Sequence, residues 1–421
     1  MKPLAKLLSG SVVAQGVTML SYLLLTRIYS PDDFGAFNIF YSYIELLIIL
    51  STLKYELAPV AADSDREATA IARFSLRLNF FVSIALLVVF LMLNLFGWLP
   101  GKLPDVGWTT MLIPFMVFFT GASRIYASLF NRAKQFGQIV WSDLSISIGG
   151  ALSKIVMGLA SLTRGIGLPL GTVLGAASGN VNYLANLHKL GLPRDIGASE
   201  RKASAKKFRK FPLFTASRDF IDTLSANLPF LWLPVAMSVG DAEIGLFGLA
   251  LTFSFRPVNV FNTAAERVLY VDISDNLRER KPIAPTIKRF VLLLGAVSLP
   301  VFVLLWFFAE PVFGFVFGSK WTGSAPYFHA LLPWMWVLLL TNSLLSIPYA
   351  LSKQQGEFVF SLIQLALRVS ALAIGVAHGD FLLAVWLYAL ASMLVVIARL
   401  LWFALLVRHY ETDIKNNKTG I

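Results

Sequence analysis

Long apolar stretches follow one another along this chain, separated by short polar loops, and that alternation constrains the fold more than any other feature. A bilayer core about 30 Å thick takes roughly 20 apolar residues per helical span. Twelve stretches qualify, near residues 8–29, 36–61, 74–97, 108–130, 136–160, 166–188, 212–238, 242–272, 288–313, 325–350, 356–378 and 381–407. A length of 421 residues holds them with short loops and no large soluble domain. Only 14% of residues are charged, against about a quarter in a soluble domain. The expected fold is an all-α membrane protein of about 12 transmembrane helices. The first stretch reads as a retained span. It is long, carries Arg27, and runs into Ser30-Pro31-Asp32-Asp33 rather than a small-residue cleavage site.

The basic residues fix the expected orientation. One set of loops and ends carries 24 of them, with the densest run at Arg201, Lys202, Lys206, Lys207, Arg209 and Lys210; the other set carries Lys102, Arg164 and Lys320. By the positive-inside rule the first set is cytoplasmic, and an even number of spans then puts both termini there. This accounts for the net charge of +12 better than nucleic-acid binding does. Trp98, Trp108 and Trp321 fall at external span ends and suit interfacial anchoring.

The longest internal loop, 189–211, divides the chain into halves of six spans, 1–188 and 212–407, with a tail at 408–421. Two short matches link the halves. Asp33-Phe34-Gly35-Ala36-Phe37 corresponds to Glu243-Ile244-Gly245-Leu246-Phe247 at an offset of 210, which also places Glu56 on Glu266. Lys134-Gln135-Phe136-Gly137-Gln138 corresponds to Lys353-Gln354-Gln355-Gly356-Glu357 at an offset of 219, which places Pro114 on Pro333. Six is even, so a duplicated unit of this kind gives parallel repeats. Transporters built that way hold their substrate between the repeats and alternate access by rocking.

Charges inside the membrane cost roughly 2.5–3.5 kcal/mol each on insertion scales, so they face a cavity or a partner, or snorkel. Glu45, Lys54, Lys154, Arg256 and Arg368 lie deepest. Arg27, Arg124, Arg267 and Arg399 lie nearer span ends, where snorkelling is the alternative. Arg218, Asp219 and Asp222 read as a local ion cluster. On a straight second span, Lys54 would stand about 13 Å beyond Glu45. Such a spread of cations suits an anionic headgroup with an extended polar tail. The expected substrate-binding set is Lys54, Arg256, Arg368, Arg27 and Lys154. Glu45, Glu56 and Glu266 are the carboxylates available for coupling or gating; for Glu56 and Glu266 the alternative is a helix-end ion pair with Lys54 or Arg267.

Several chemistries are excluded. There is no cysteine, hence no thiolate metal site, disulfide or cysteine nucleophile. No GxxxxGK[ST] or HExxH motif occurs, and no cluster has metal-ligand spacing. The expectation is a transporter rather than an enzyme, with no catalytic residues and no cofactor beyond a coupling proton or sodium ion.

The opening segment LLSGSVVAQGVTMLSYLLLTRIYSPDDFGAFNIF, with Arg27 before the turn and the Asp33-Phe34-Gly35 step, resembles the O-antigen and exopolysaccharide lipid flippases of the multidrug/oligosaccharidyl-lipid/polysaccharide (MOP) exporter superfamily. GDAEIGLFGLALTF resembles the matching step of the second half. The resemblance implies a two-lobed, V-shaped, MATE/MOP-like transporter with a cationic cavity. It implies a bacterial inner-membrane protein that flips undecaprenyl-diphosphate-linked oligosaccharide for lipopolysaccharide or other surface polysaccharide synthesis. The partners implied are that lipid-linked substrate, the bilayer, and the polysaccharide polymerase and chain-length machinery. Two alternatives stay open: a drug or small-metabolite exporter of the same superfamily, and a membrane-embedded glycan ligase or polymerase.

Overall fold

The computed structural model describes residues 2–99, 107–160, 164–279, 281–351, 353 and 355–419. Among them every regular element is helical. The long helices are α1 (Lys2–Ile28), α2 (Pro31–Thr52), α3 (Asp65–Leu95), α4 (Leu112–Arg132), α5 (Phe136–Leu159), α6 (Arg164–Asn186), α7 (Ala198–Lys207), α8 (Ser217–Leu231), α9 (Asp241–Arg278), α10 (Ala284–Phe317), α11 (Ala325–Asn342), α12 (Gln355–His378) and α13 (Phe381–Thr419).

Nine helical stretches among the described residues are long and apolar enough to cross a membrane. The other three predicted spans fall on α1, whose apolar part is Val13–Ile28, on α6, and on residues 211–236. The surface confirms the solvent. In the most apolar window of α10 only 6% of residues are buried, and Leu292, Val297, Val301, Phe307 and Phe315 stand exposed. A continuous apolar face of this kind has no stable place in water.

Three features depart from the sequence-based expectation. The second span, predicted to run from 36 to 61, ends as a helix at Thr52. The seventh is interrupted: a π-helical stretch Phe211–Ala216 precedes α8, and the chain breaks at Trp232 before a one-turn helix Leu233–Ala236. Pro229 and Pro234 flank that break, and each removes a backbone donor. The stretch from 408, read as a tail, continues α13 as helix through Thr419, which the expectation left open. Trp321 is fully buried, a core residue rather than an interfacial anchor.

The chain forms two compact units, Met1–Gly245 and Leu246–Ile421. This division differs from the repeat boundary at 189–211, because α8 packs on α2 inside the first unit. In that unit α5 and α6 approach through glycines: a Cβ on Gly175 would stand 2.7 Å from the Gly150 Cα. Small residues let helices pack backbone to backbone where no hydrophobic effect drives association. The Ser-Pro-Asp-Asp turn is the start of α2. Ser30 caps it, its side chain accepting from the Asp33 N–H at 3.2 Å. The Asp33 carboxylate accepts from the Ser30 N–H at 2.9 Å, closing a capping box.

The two Gly steps meet. A Cβ on Gly35 would overlap the Asp241 carbonyl, and one on Gly245 would overlap the Pro31 carbonyl. Pro31 and Asp241 begin α2 and α9, and they are 210 residues apart, as Gly35 and Gly245 are. The repeat offset therefore exchanges the two halves of this contact.

In the second unit one core cluster is aromatic. Phe253 stacks edge-on against Phe317 at 4.5 Å, and Phe313 against Phe328 at 5.2 Å. Another joins Leu269, Ile273, Leu344, Ile347, Phe403 and Val407.

Candidate functional site

The break after α2 builds the site in the first unit. Leu53 (φ 48°) and Lys54 (φ 61°) are both left-handed, and neither is glycine. A left-handed residue with a side chain costs roughly 1–2 kcal/mol. Residues 55–57 then form a 3-10 turn and Ala58–Ala61 a single α-turn. The reversal puts Lys54 at the carbonyl end of α2, where the helix dipole favours a cation. Its ammonium lies 2.7 Å from Asp219 and 4.0 Å from Glu56. Lys54 is 15% exposed and Asp219 36%, whereas the Glu56 side chain is 4% exposed. Glu56 Oε2 has no hydrogen-bond partner among the described residues.

A second polar rung crosses the same helix pair. Asn227 on α8 donates to Glu45 Oε2 at 2.8 Å and to the Thr223 carbonyl at 3.0 Å. From Lys54 back to Glu45 is nine residues, and from Asp219 on to Asn227 is eight. At 1.5 Å per residue the helical part of the first step, Glu45 to Thr52, and the whole of the second are about 10–12 Å. The two rungs therefore fit an antiparallel pairing of α2 and α8. The helix-end alternative for Glu56 matches its approach to Lys54, and the Arg218 cluster is real in part: Arg218 reaches Asp222 at 3.6 Å, while Asp219 turns to Lys54.

Lys154 on α5 sits over the Phe37 ring at 5.3 Å, and its carbonyl accepts from the Tyr29 hydroxyl at 2.8 Å. Arg27 is exposed in the last turn of α1. The structure thus brings Lys54, Glu56 and Asp219 together, and links Glu45 to Asn227.

In the second unit Arg368 is only 4% exposed. Its guanidinium lies 4.6 Å from the Tyr388 ring and 5.2 Å from Trp334, and its Nε donates to Ser392 at 2.8 Å. A ligand reaches it only if that aromatic box opens. Arg256 is half-buried, one residue before the in-helix Pro257. Arg399 faces the fully buried Glu357 at 3.5 Å. The side chains of Glu266 and Arg267 lie outside the described residues. Among the described residues no three His, Asp or Glu side chains are placed to hold a metal ion.

The basic loop at 189–211 is fastened over the helix break. Arg66 binds Glu200 at 2.7 Å and the Asp195 carbonyl at 2.8 Å. Lys207 binds Asp63 at 2.8 Å and also reaches Glu67. Tyr55, just past the break, donates to the Ala205 carbonyl at 3.1 Å. Hydrogen bonding from Lys207, aided by its charge, holds the Asp63 carboxyl below the usual carboxylate range. Arg66 does the same for Glu200, again through its hydrogen bond first.

Sequence reasoning missed Asn227, Trp334, Tyr388 and Ser392. Neutral residues in apolar spans carry no signal of partnership until the helices are paired.

Residues 24–326 match the model of a family described as "Polysaccharide biosynthesis protein". Among curated proteins none matches the sequence. Solved structures share the fold. A multidrug resistance MATE family transporter of the MOP superfamily, in an inward-facing conformation, aligns with a TM-score of 0.73 at 13% identity, covering 96% of this chain and 99% of that one. The lipid II flippase MurJ aligns at 0.72 and 12% identity, covering 96% and 90%. A MOP superfamily transporter from Pyrococcus furiosus with a binding pocket of reversed polarity aligns at 0.64 and 14%, covering 97% and 95%.

Proposed function

Because the chain belongs to the polysaccharide biosynthesis protein family, we propose that it flips a polyprenyl-diphosphate-linked oligosaccharide across the bacterial inner membrane, by alternating access, for O-antigen or another surface polysaccharide. The observation that carries this reading is Lys54: a largely buried cation at a broken helix, against a partly exposed carboxylate, Asp219, at 2.7 Å. A diphosphate can take the place of that carboxylate with little rearrangement, since both present anionic oxygens to the same ammonium. The MOP fold and the fold shared with a lipid flippase support the reading. Arg256, Lys154 and Arg27 are the further cations proposed to meet substrate, and Arg368 joins them only where its box opens. Glu45 is the proposed gating or coupling carboxylate, with a proton or sodium ion as the coupled species, and Glu56 and Glu266 stand as alternates.

A deletion strain complemented with K54E or R256E should lack the surface glycan and accumulate its lipid-linked precursor inside. Intact glycan in both variants would defeat the site assignment. Changed drug susceptibility with intact glycan would favour the exporter reading, to which the shared MATE fold also lends itself. Sugar transfer by the purified protein would favour a ligase or polymerase.

A further inference from the structure

A cavity of about 710 Å³ lies in the second unit, where α12 begins and α13 leaves its apolar stretch. One wall is apolar, with Trp402 and Leu405. The other is polar and basic, with Lys353, Gln355, Arg408 and His409. Along α13 the change is abrupt. Leu401 and Leu405 are 62% exposed, as lipid-facing residues are, and three and four residues after Leu405 come Arg408 and His409. The bilayer surface therefore crosses the cavity, with Trp402 at interfacial depth. A side chain on Gly356 would overlap the Trp402 indole, so this glycine lets the indole lie on the first turn of α12 and form the floor.

Among the described residues the charge of this cavity has no compensating carboxylate. Glu411 is turned away, its carboxylate accepting from the Ala284 N–H at 2.9 Å. Glu357 is fully buried and faces Arg399 at 3.5 Å. Among the described residues Lys353, Arg408 and His409 make no ion pair. Two permanent cations and an imidazole beside a 24-residue helix N-terminus thus surround an open, half-apolar space.

We propose that this cavity binds the phosphate headgroup of an anionic phospholipid from the cytoplasmic leaflet, with the lipid's acyl region along Trp402 and Leu405. Basic pockets at the cytoplasmic ends of membrane helices recognise anionic lipids in this way. The inference rests on the cytoplasmic placement of this end and is independent of what the protein transports.

The test uses the full chain in nanodiscs of phosphatidylcholine, with or without phosphatidylglycerol, followed by native mass spectrometry of retained lipid and by thermal unfolding. The wild type should retain phosphatidylglycerol preferentially and gain stability from it. Each cation removed should weaken that preference about fivefold, so K353Q/R408Q should lose it about 25-fold. K288Q/R289Q removes the same charge at exposed positions outside the cavity and should keep the preference. R408K should keep it too, which separates charge from folding. Equal retention by K353Q/R408Q and wild type would overturn the proposal. So would equal stabilisation by inorganic phosphate in phosphatidylcholine alone, which would make free phosphate the ligand.

Discussion

Leu53 and Lys54 occupy a conformation that glycine would adopt without cost, and the chain keeps side chains at both. Ion pairing holds one and packing the other: Lys54 is tied to Asp219, and Leu53 packs against the cluster around Tyr55 and Ala58. Leu53→Ile preserves volume but puts a β-branched residue in the left-handed region. It should lower stability by about 1 kcal/mol in thermal unfolding, and an unchanged midpoint would show the backbone is relaxed there. The Glu45–Asn227 rung makes a sharper prediction. Asn227→Ala removes the donor to Glu45 and leaves a membrane carboxylate short of a partner, at a cost of about 1–3 kcal/mol. Glu45→Gln keeps an acceptor for Asn227 and should unfold near the wild-type midpoint. The reverse order of the two variants would mean that this hydrogen bond does not hold the rung. Glu45, Lys54 and Glu56 were legible in the sequence because a charge in an apolar run is conspicuous. Asn227 was not, since an uncharged amide costs little enough to pass for ordinary span composition.

At the scale of elements, the linker helix α7 and the break after α2 are one assembly, closed by Arg66–Glu200, Lys207–Asp63 and Tyr55–Ala205. Asp63 and Glu200 both have carboxyl groups held below their usual range. For such groups the stabilisation is complete above the unfolded-chain value and is lost as pH falls through the lower folded value. The linker should therefore release in acid, below the ordinary carboxylate range, and stay closed from neutral pH upward. Limited proteolysis between 191 and 210 at falling pH should show it, and high salt should act in the same direction on these exposed pairs. R66A/K207A should be cleaved faster at neutral pH. Protection unchanged in that variant would mean the ion pairs do not hold the helix. The linker's charge was plain in the sequence and was read as a topological signal. Its docking was not, because Arg66 and Glu200 lie 134 residues apart.

At the scale of the molecule, the alternation of apolar stretches and polar loops revealed most of the fold. Predicted spans at 136–160 and 356–378 coincide with α5 and α12 within a residue. The failures fall where helices break, at Leu53–Lys54 and near Pro229 and Pro234, because local hydropathy does not report a backbone reversal. Orientation remains open to direct measurement. The chain has no cysteine, so single substitutions give clean accessibility probes. Ser199→Cys and Thr412→Cys should react with an impermeant maleimide only after the membrane is opened, and Thr322→Cys should react in intact cells. Labelling in the opposite sense would invert the topology. The meeting of Gly35 and Gly245 also has a mechanical consequence. Two helix starts approach there backbone to backbone. Interdigitated side chains act like gear teeth; smooth surfaces act like a bearing, which resists being pulled apart yet turns freely. A valine at either glycine would wedge α2 from α9, and the loss of glycan export should then exceed the loss of folded protein.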